Sequence, residues 1–213
     1  ALLQSDDKKF QTVFKFAFDV LQDRLMSQLL HDIKYFLILM YQHLTEDTFK
    51  SLIQKNRMEF EKLFLEVDEK GESIIHFAIS IENLDLMKFL QINFKEATKD
   101  LYLNHENLLQ FALNNTRNVE ILQSLLSTIK TNLNAEQKER LLTNVNGNRN
   151  SVLCSAILTN NTEIFNIIFT FCKQNLSLKV FFQYLINCKS EKNILGITKG
   201  SKVYEMFLVE MRK

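Results

Sequence analysis

Helices in this chain can end only at capped termini, because its 213 residues include no proline and only four glycines. Proline breaks a helix by removing a backbone N–H and clashing with the preceding turn, and glycine weakens one through backbone entropy. Without them, an apolar pattern continues as helix until a polar cap stops it. The same scarcity argues against an all-β domain, whose tight turns draw on these two residues. The expectation is an all-α chain with Asn-, Asp- and Ser-rich connections. Hydrophobic residues make up 46% of it, enough to bury a core in one elongated domain or two small ones.

Helical periodicity is present from the start. Phe10, Val13, Phe14 and Ala17 recur at spacings of three and four, as do Leu21, Leu25, Leu29 and Ile33. The most apolar run, Tyr35 to Tyr41, is far short of the roughly 20 residues needed to span a bilayer and reads as part of a buried helix ending near Leu44. Thr45 then offers an N-cap, with Glu46 and Asp47 in the first turn. Phe49, Leu52 and Ile53 form the apolar face of that helix, and Phe60, Leu63 and Phe64 that of the next.

From there the elements are short and paired, and three stretches align. They are ESIIHFAISIENLDLMKFL from Glu72, ENLLQFALNNTRNVEILQSLL from Glu106, and NSVLCSAILTNNTEIFNIIF from Asn150. Each has a Ser or Asn, two aliphatics, a variable residue, an aromatic or small residue, then Ala and an aliphatic. A polar break follows, and an acidic residue leads a second apolar helix. The anchoring alanines are Ala78, Ala112 and Ala156, spaced 34 and 44 residues apart. One such helix pair carries too little apolar surface to fold alone, whereas stacked pairs bury a continuous core. The alanines would let neighbouring inner helices approach, with Leu, Ile and Phe of the outer helices filling the space behind.

This pattern resembles the ankyrin repeat, a unit of about 33 residues with a T-P-L-H-x-A signature. In the first copy Gly71, Ser73, Ile75, His76 and Ala78 occupy the signature positions, and Asn83, Leu86, Met87 and Leu90 fit the break and second helix. Gln110 and Cys154 replace the histidine in the next two copies, no copy has the proline, and a weak fourth copy from Asn193 has Thr198 in place of alanine. The resemblance covers residues 56–213, with helical insertions near 92–103 and 128–147. It implies an all-α, ankyrin-like helical-repeat solenoid of about four repeats, with residues 1–55 as an N-terminal helical cap and the whole forming one continuous unit. A helical-hairpin array of HEAT or tetratricopeptide type is the alternative.

The residues that could carry chemistry have structural readings. In the ankyrin unit the signature histidine bonds turn backbone and a neighbouring hydroxyl, and Ser73 supplies that hydroxyl here. A catalytic His76 is disfavoured because Gln110 and Cys154 fill the same slot. His31, His43, His76 and His105 include no pair at helical-face spacing, and Cys154, Cys172 and Cys188 form no C-x-x-C, so neither a metal nor any other cofactor is expected. The cysteines read as reduced core thiols, which points to an intracellular, cytoplasmic protein. The segment GITKGSK, from Gly196 to Lys202, has only three residues between its glycines, unlike a phosphate-binding loop. The sequons at Asn114, Asn160 and Asn175 read as products of asparagine richness. A formal net charge of +1 gives no global reason for nucleic-acid binding. The basic residues after Lys189 add only a weak local signal.

The ankyrin resemblance implies a non-enzymatic module that binds another protein on a concave face of hairpin tips and inner-helix positions. Carried onto this sequence, these are Glu69, Lys70, Glu72, Ser80 and Ile81 in the first copy. The second contributes Asn104, Glu106, Asn114 and Asn115, and the third Asn148, Asn150, Thr159 and Asn160. Such a surface would suit a polar or basic partner segment, with Ile81 as the one apolar anchor. The module would serve as an adaptor, scaffold or effector recognition domain. Self-association through the N-terminal helices is the alternative, and an enzyme on an unfamiliar helical fold is a third reading. The insertions are a further place for a binding face, since long connections often carry function.

Overall fold

The computed structural model describes residues 41, 45–55, 57, 60, 61, 64, 67, 71–103, 107–145, 150–190 and 201–210. Among these the chain is helical and contains no strand. Its one isolated antiparallel bridge pairs Val145 with Ser151. The chain divides into two compact units, Ala1–Phe77 and Ala78–Lys213. The expected cap, residues 1–55, lies largely outside the described residues.

In the first unit, α1 (Glu46–Lys55) starts as the sequence predicts. The Thr48 N–H donates to Thr45 Oγ1 at 3.3 Å, and Phe49 and Ile53 are buried. Tyr41 meets Phe49 edge to face, with centroids 5.3 Å apart. Phe60 and Phe64 are also buried. Gly71 has φ +78°, where a side chain would be strained, and leads into α2 (Ile74–Ser80), the helix that crosses from the first unit into the second.

The second unit is built from sets of three helices. The first set continues from α2 with α3 (Leu84–Asn93) and α4 (Lys95–Leu103). The second is α5 (Leu108–Asn115), α6 (Val119–Asn132) and α7 (Ala135–Thr143). The third is α8 (Val152–Leu158), α9 (Thr162–Asn175) and α10 (Leu178–Ser190), and α11 (Lys202–Glu210) follows. Like packs on like: α5 on α8, α4 on α7, and α3, α6, α9 and α11 each on the next. The third helix of a set also packs on the first two helices of the following set, α4 on α5 and α6, and α7 on α8 and α9. Both expected insertions therefore contain packed helices, and α10 is a third member that the sequence pattern did not reveal.

Short polar residues start these helices. Asn83, Asn118 and Asn161 cap α3, α6 and α9 by accepting N–H bonds from the first turn. Asn107 and Ser151 do the same for α5 and α8, and Asn134 forms a capping box with Gln137 on α7. Tyr184 of α10 accepts the Leu153 N–H of α8 at 2.9 Å, which occupies a donor that the first helical turn leaves over. The core then follows the helical period. Ile121, Leu122, Leu125 and Ile129 are buried on α6, and Ile164, Phe165, Ile168 and Cys172 on α9. Ala78, Ala112 and Ala156 are fully buried.

Candidate partner-binding surfaces

His76 belongs to the start of α2. The Ser73 N–H donates to His76 Nδ1 at 3.0 Å, and Ser73 Oγ lies 2.8 Å from the same nitrogen. With Nδ1 accepting, the ring proton resides on Nε2. Both residues are buried, so the ring serves as a local clamp on the helix start.

Gln110 fills the equivalent slot differently. Its amide nitrogen donates to the carbonyls of Asn144 and Asn150, each at 3.0 Å. Its oxygen accepts from Asn107 Nδ2 at 3.2 Å, and that group also reaches the Leu141 carbonyl at 3.3 Å. The first turn of α5 is thereby joined to the segment just before α8, so the two helices start side by side. Asn150, expected on the exposed face, is instead buried, because its backbone carbonyl completes this network.

The turns after α2, α5 and α8 lie along the opposite ends of these helices. Glu82 and Asn160 adopt left-handed conformations there, at φ 55° and 52°. After α2 the Asn83 and Glu82 N–H groups return to the carbonyls of Ala78 and Ile79 at 2.9 and 3.0 Å, which closes the helix end. After α8, Thr159 replaces one of those bonds: its hydroxyl takes the Asn161 N–H at 3.2 Å and donates to the Ala156 carbonyl at 2.7 Å. Successive turns are linked as well. Thr116 Oγ1 donates to Glu82 Oε1 at 2.6 Å, and Ser201 Oγ donates to Asn160 Oδ1 at 2.7 Å.

Of the residues expected to bind a partner, Ser80, Ile81, Asn114, Asn115 and Asn160 are exposed, and Glu72 and Thr159 are half-buried. Asn114 and Asn115 belong to the last turn of α5 and not to the connection after it. Glu69, Lys70, Asn104, Glu106 and Asn148 lie outside the described residues. Leu158, missed by the sequence reading, adds a second exposed apolar side chain near the turns.

A separate groove of about 900 Å³ runs between α3 and α6. None of the residues expected to bind a partner lines it. On the α6 side it is walled by Gln123, Ser124, Ser127, Thr128 and Thr131, and on the other by Lys88, Ile92 and Lys95. Its floor is a buried polar chain in which Gln91 donates to the Tyr102 hydroxyl at 2.8 Å and accepts from Ser124 Oγ at 3.3 Å. Burial pushes the Tyr102 phenol above its ordinary range, against hydrogen bonds from Gln91 and Thr128 that pull it down. The signal in the sequence was the hydroxyl- and amide-rich stripe of α6, which repeats at three and four residues opposite the apolar face.

On α10, Leu178, Phe182 and Ile186 recur every four residues, and all three are exposed. Cys154 and Cys172 are buried. Among the described residues no group of His, Cys, Asp and Glu is placed to hold a metal ion, and no helix is long and apolar enough to cross a membrane. Comparison with protein-family models, curated proteins and solved structures gives no match for this chain.

Proposed function

We propose that the chain is a non-enzymatic protein-interaction module whose helix sets are divergent ankyrin-like repeats, with partner binding at the ends of α2, α5 and α8. The observation that carries this reading is the register between sets. The Gln110–Asn150 and Thr116–Glu82 hydrogen bonds hold successive hairpins in step, so exposed side chains at the helix ends can form one extended surface. Ser80, Ile81, Asn114, Asn115, Leu158 and Asn160 are exposed there. Amide and hydroxyl groups would bond a partner's backbone, and Ile81 and Leu158 would supply apolar contact. The module would act as an adaptor, scaffold or effector recognition domain. A reducing intracellular setting goes with the proposal, in which Cys154 and Cys172 are buried core residues.

The test is a pull-down from native lysate with the wild type and with a triple variant, Ile81→Asp, Asn114→Ala and Leu158→Asp, after circular dichroism has verified folding. Loss of a wild-type partner from the folded variant supports the surface. Retention of every partner by both baits rejects it.

Self-association is the second reading. The N-terminal helices first considered for it lie mostly outside the described residues, but Leu178, Phe182 and Ile186 form an exposed apolar stripe suited to helix–helix packing. Sedimentation of wild type and Phe182→Asp across a concentration range tests it. A monomer at every concentration removes the idea.

A further inference from the structure

The floor of the groove between α3 and α6 contains a hydrogen-bond donor with spare capacity. Gln91 is only 5% exposed. One amide N–H goes to the Tyr102 hydroxyl, and the amide oxygen is held by Ser124. A carboxamide carries two N–H donors, and the second has no acceptor among the described residues. The group is therefore locked in orientation by two neighbours while half of its donor capacity is unused at the base of a groove.

We propose that this groove binds an extended, acidic segment of a partner protein. The walls match a peptide backbone. Thr131 donates its hydroxyl proton to the Ser127 carbonyl of its own helix at 3.1 Å, which leaves the hydroxyl oxygen as an acceptor. An extended chain offers an N–H group to that oxygen and a carbonyl to Gln91. The size also fits: the ten residues of α3 run for about 15 Å, the reach of roughly five extended residues. Small-molecule pockets enclose their ligand, whereas this groove is open.

Charge selects the segment. Lys88 and Lys95 make no ion pair among the described residues, and Glu120 is the single acid lining the groove. The net field favours carboxylates in the partner. Ile92, at 78% exposure, supplies an apolar contact for an aliphatic side chain beside them. This site is separate from the surface at the ends of α2, α5 and α8 and does not depend on it.

The experiment is selection of a linear random-peptide phage library on the full chain. Enriched peptides are then synthesised and measured by fluorescence anisotropy. Acidic sequences with an aliphatic residue should be enriched. The exposed double variant Lys88→Glu/Lys95→Glu, which should fold normally, should weaken them by about tenfold or more. The triple variant Ile81→Asp/Asn114→Ala/Leu158→Asp should bind them like the wild type, so failure here is distinguishable from failure of the other surface. No enrichment, enrichment of basic or purely aromatic peptides, or binding indifferent to the lysine reversal would overturn the proposal.

Discussion

Thr116 and Glu82 meet across two successive hairpins, with Thr116 Oγ1 donating to Glu82 Oε1 at 2.6 Å. The same hydroxyl accepts the Asn118 N–H at 2.9 Å. One side chain thus finishes its own turn and ties it to the preceding one. Glu82 sits at φ 55°, a conformation that costs a residue with a Cβ roughly 1–2 kcal/mol. Glycine would remove that cost but also the carboxylate, so the two effects oppose each other at this position.

A double-mutant cycle separates them. Glu82→Ala and Thr116→Ala should each lower stability, and the cycle should return a coupling of about 1 kcal/mol, the usual net worth of such a bond. Urea unfolding of the four proteins measures it. Additive single effects would mean that the hairpins are held in step by packing alone.

Gln110 should be far less replaceable than its exposed neighbours. Gln110→Ala withdraws the donors that satisfy the Asn144 and Asn150 carbonyls and leaves Asn107 without its oxygen partner. Buried acceptors left unpaired cost about 1–3 kcal/mol each, so the variant should lose at least about 2 kcal/mol by urea unfolding. Gln110→His should recover only part of this loss. In the first set the His76 ring nitrogen is engaged with Ser73, three residues away, and a ring in that pose would not span to the Asn150 carbonyl.

The contrast between His76 and Gln110 marks what the sequence could convey. The slot itself was readable, because alanines two residues further on and caps three residues before fix a local frame, and Ser73–His76 bonding stays within one turn. Gln110 acts over 34 and 40 residues, a separation that depends on how sets stack. The groove is hidden for the same reason, since Gln91 and Ser124 are 33 residues apart. Helix α10 escaped notice for another: Phe181, Tyr184 and Leu185 are buried while Leu178, Phe182 and Ile186 are exposed. Apolar residues on both sides erase the contrast by which an amphipathic helix is recognised. Asn150 was placed on the partner face by the ankyrin resemblance, whereas it is buried and its backbone carbonyl belongs to the Gln110 network.

Ser155 offers a stabilising substitution. Its hydroxyl is buried in α8 with no hydrogen-bond partner among the described residues, at the position where the first two sets carry Phe77 and Phe111. A buried, unsatisfied polar group is a net cost. Ser155→Ala removes it with almost no change in volume and should raise stability by about 1 kcal/mol in urea unfolding. A loss of stability would reveal an acceptor for the hydroxyl beyond the described residues.

Tyr102 makes the fold sensitive to alkali. Its phenol is fully buried, and burial raises its pKa above the ordinary value. In the unfolded chain the group ionises near pH 10, while the native protein keeps the proton to higher pH. Above about pH 10 the unfolded state therefore binds fewer protons than the native state, and the stability contribution that is whole below that pH falls as pH rises. Tyr102→Phe cannot titrate, but it leaves Gln91 and Thr128 without their hydroxyl partner. At neutral pH it should be less stable than wild type by about 1–2 kcal/mol. The other tyrosines and the lysines are common to both proteins, so the difference between them isolates this phenol. Measured by urea unfolding from about pH 9 to about pH 11, the gap should narrow with rising pH. A constant gap would mean that the phenol ionises alike in the folded and unfolded chain.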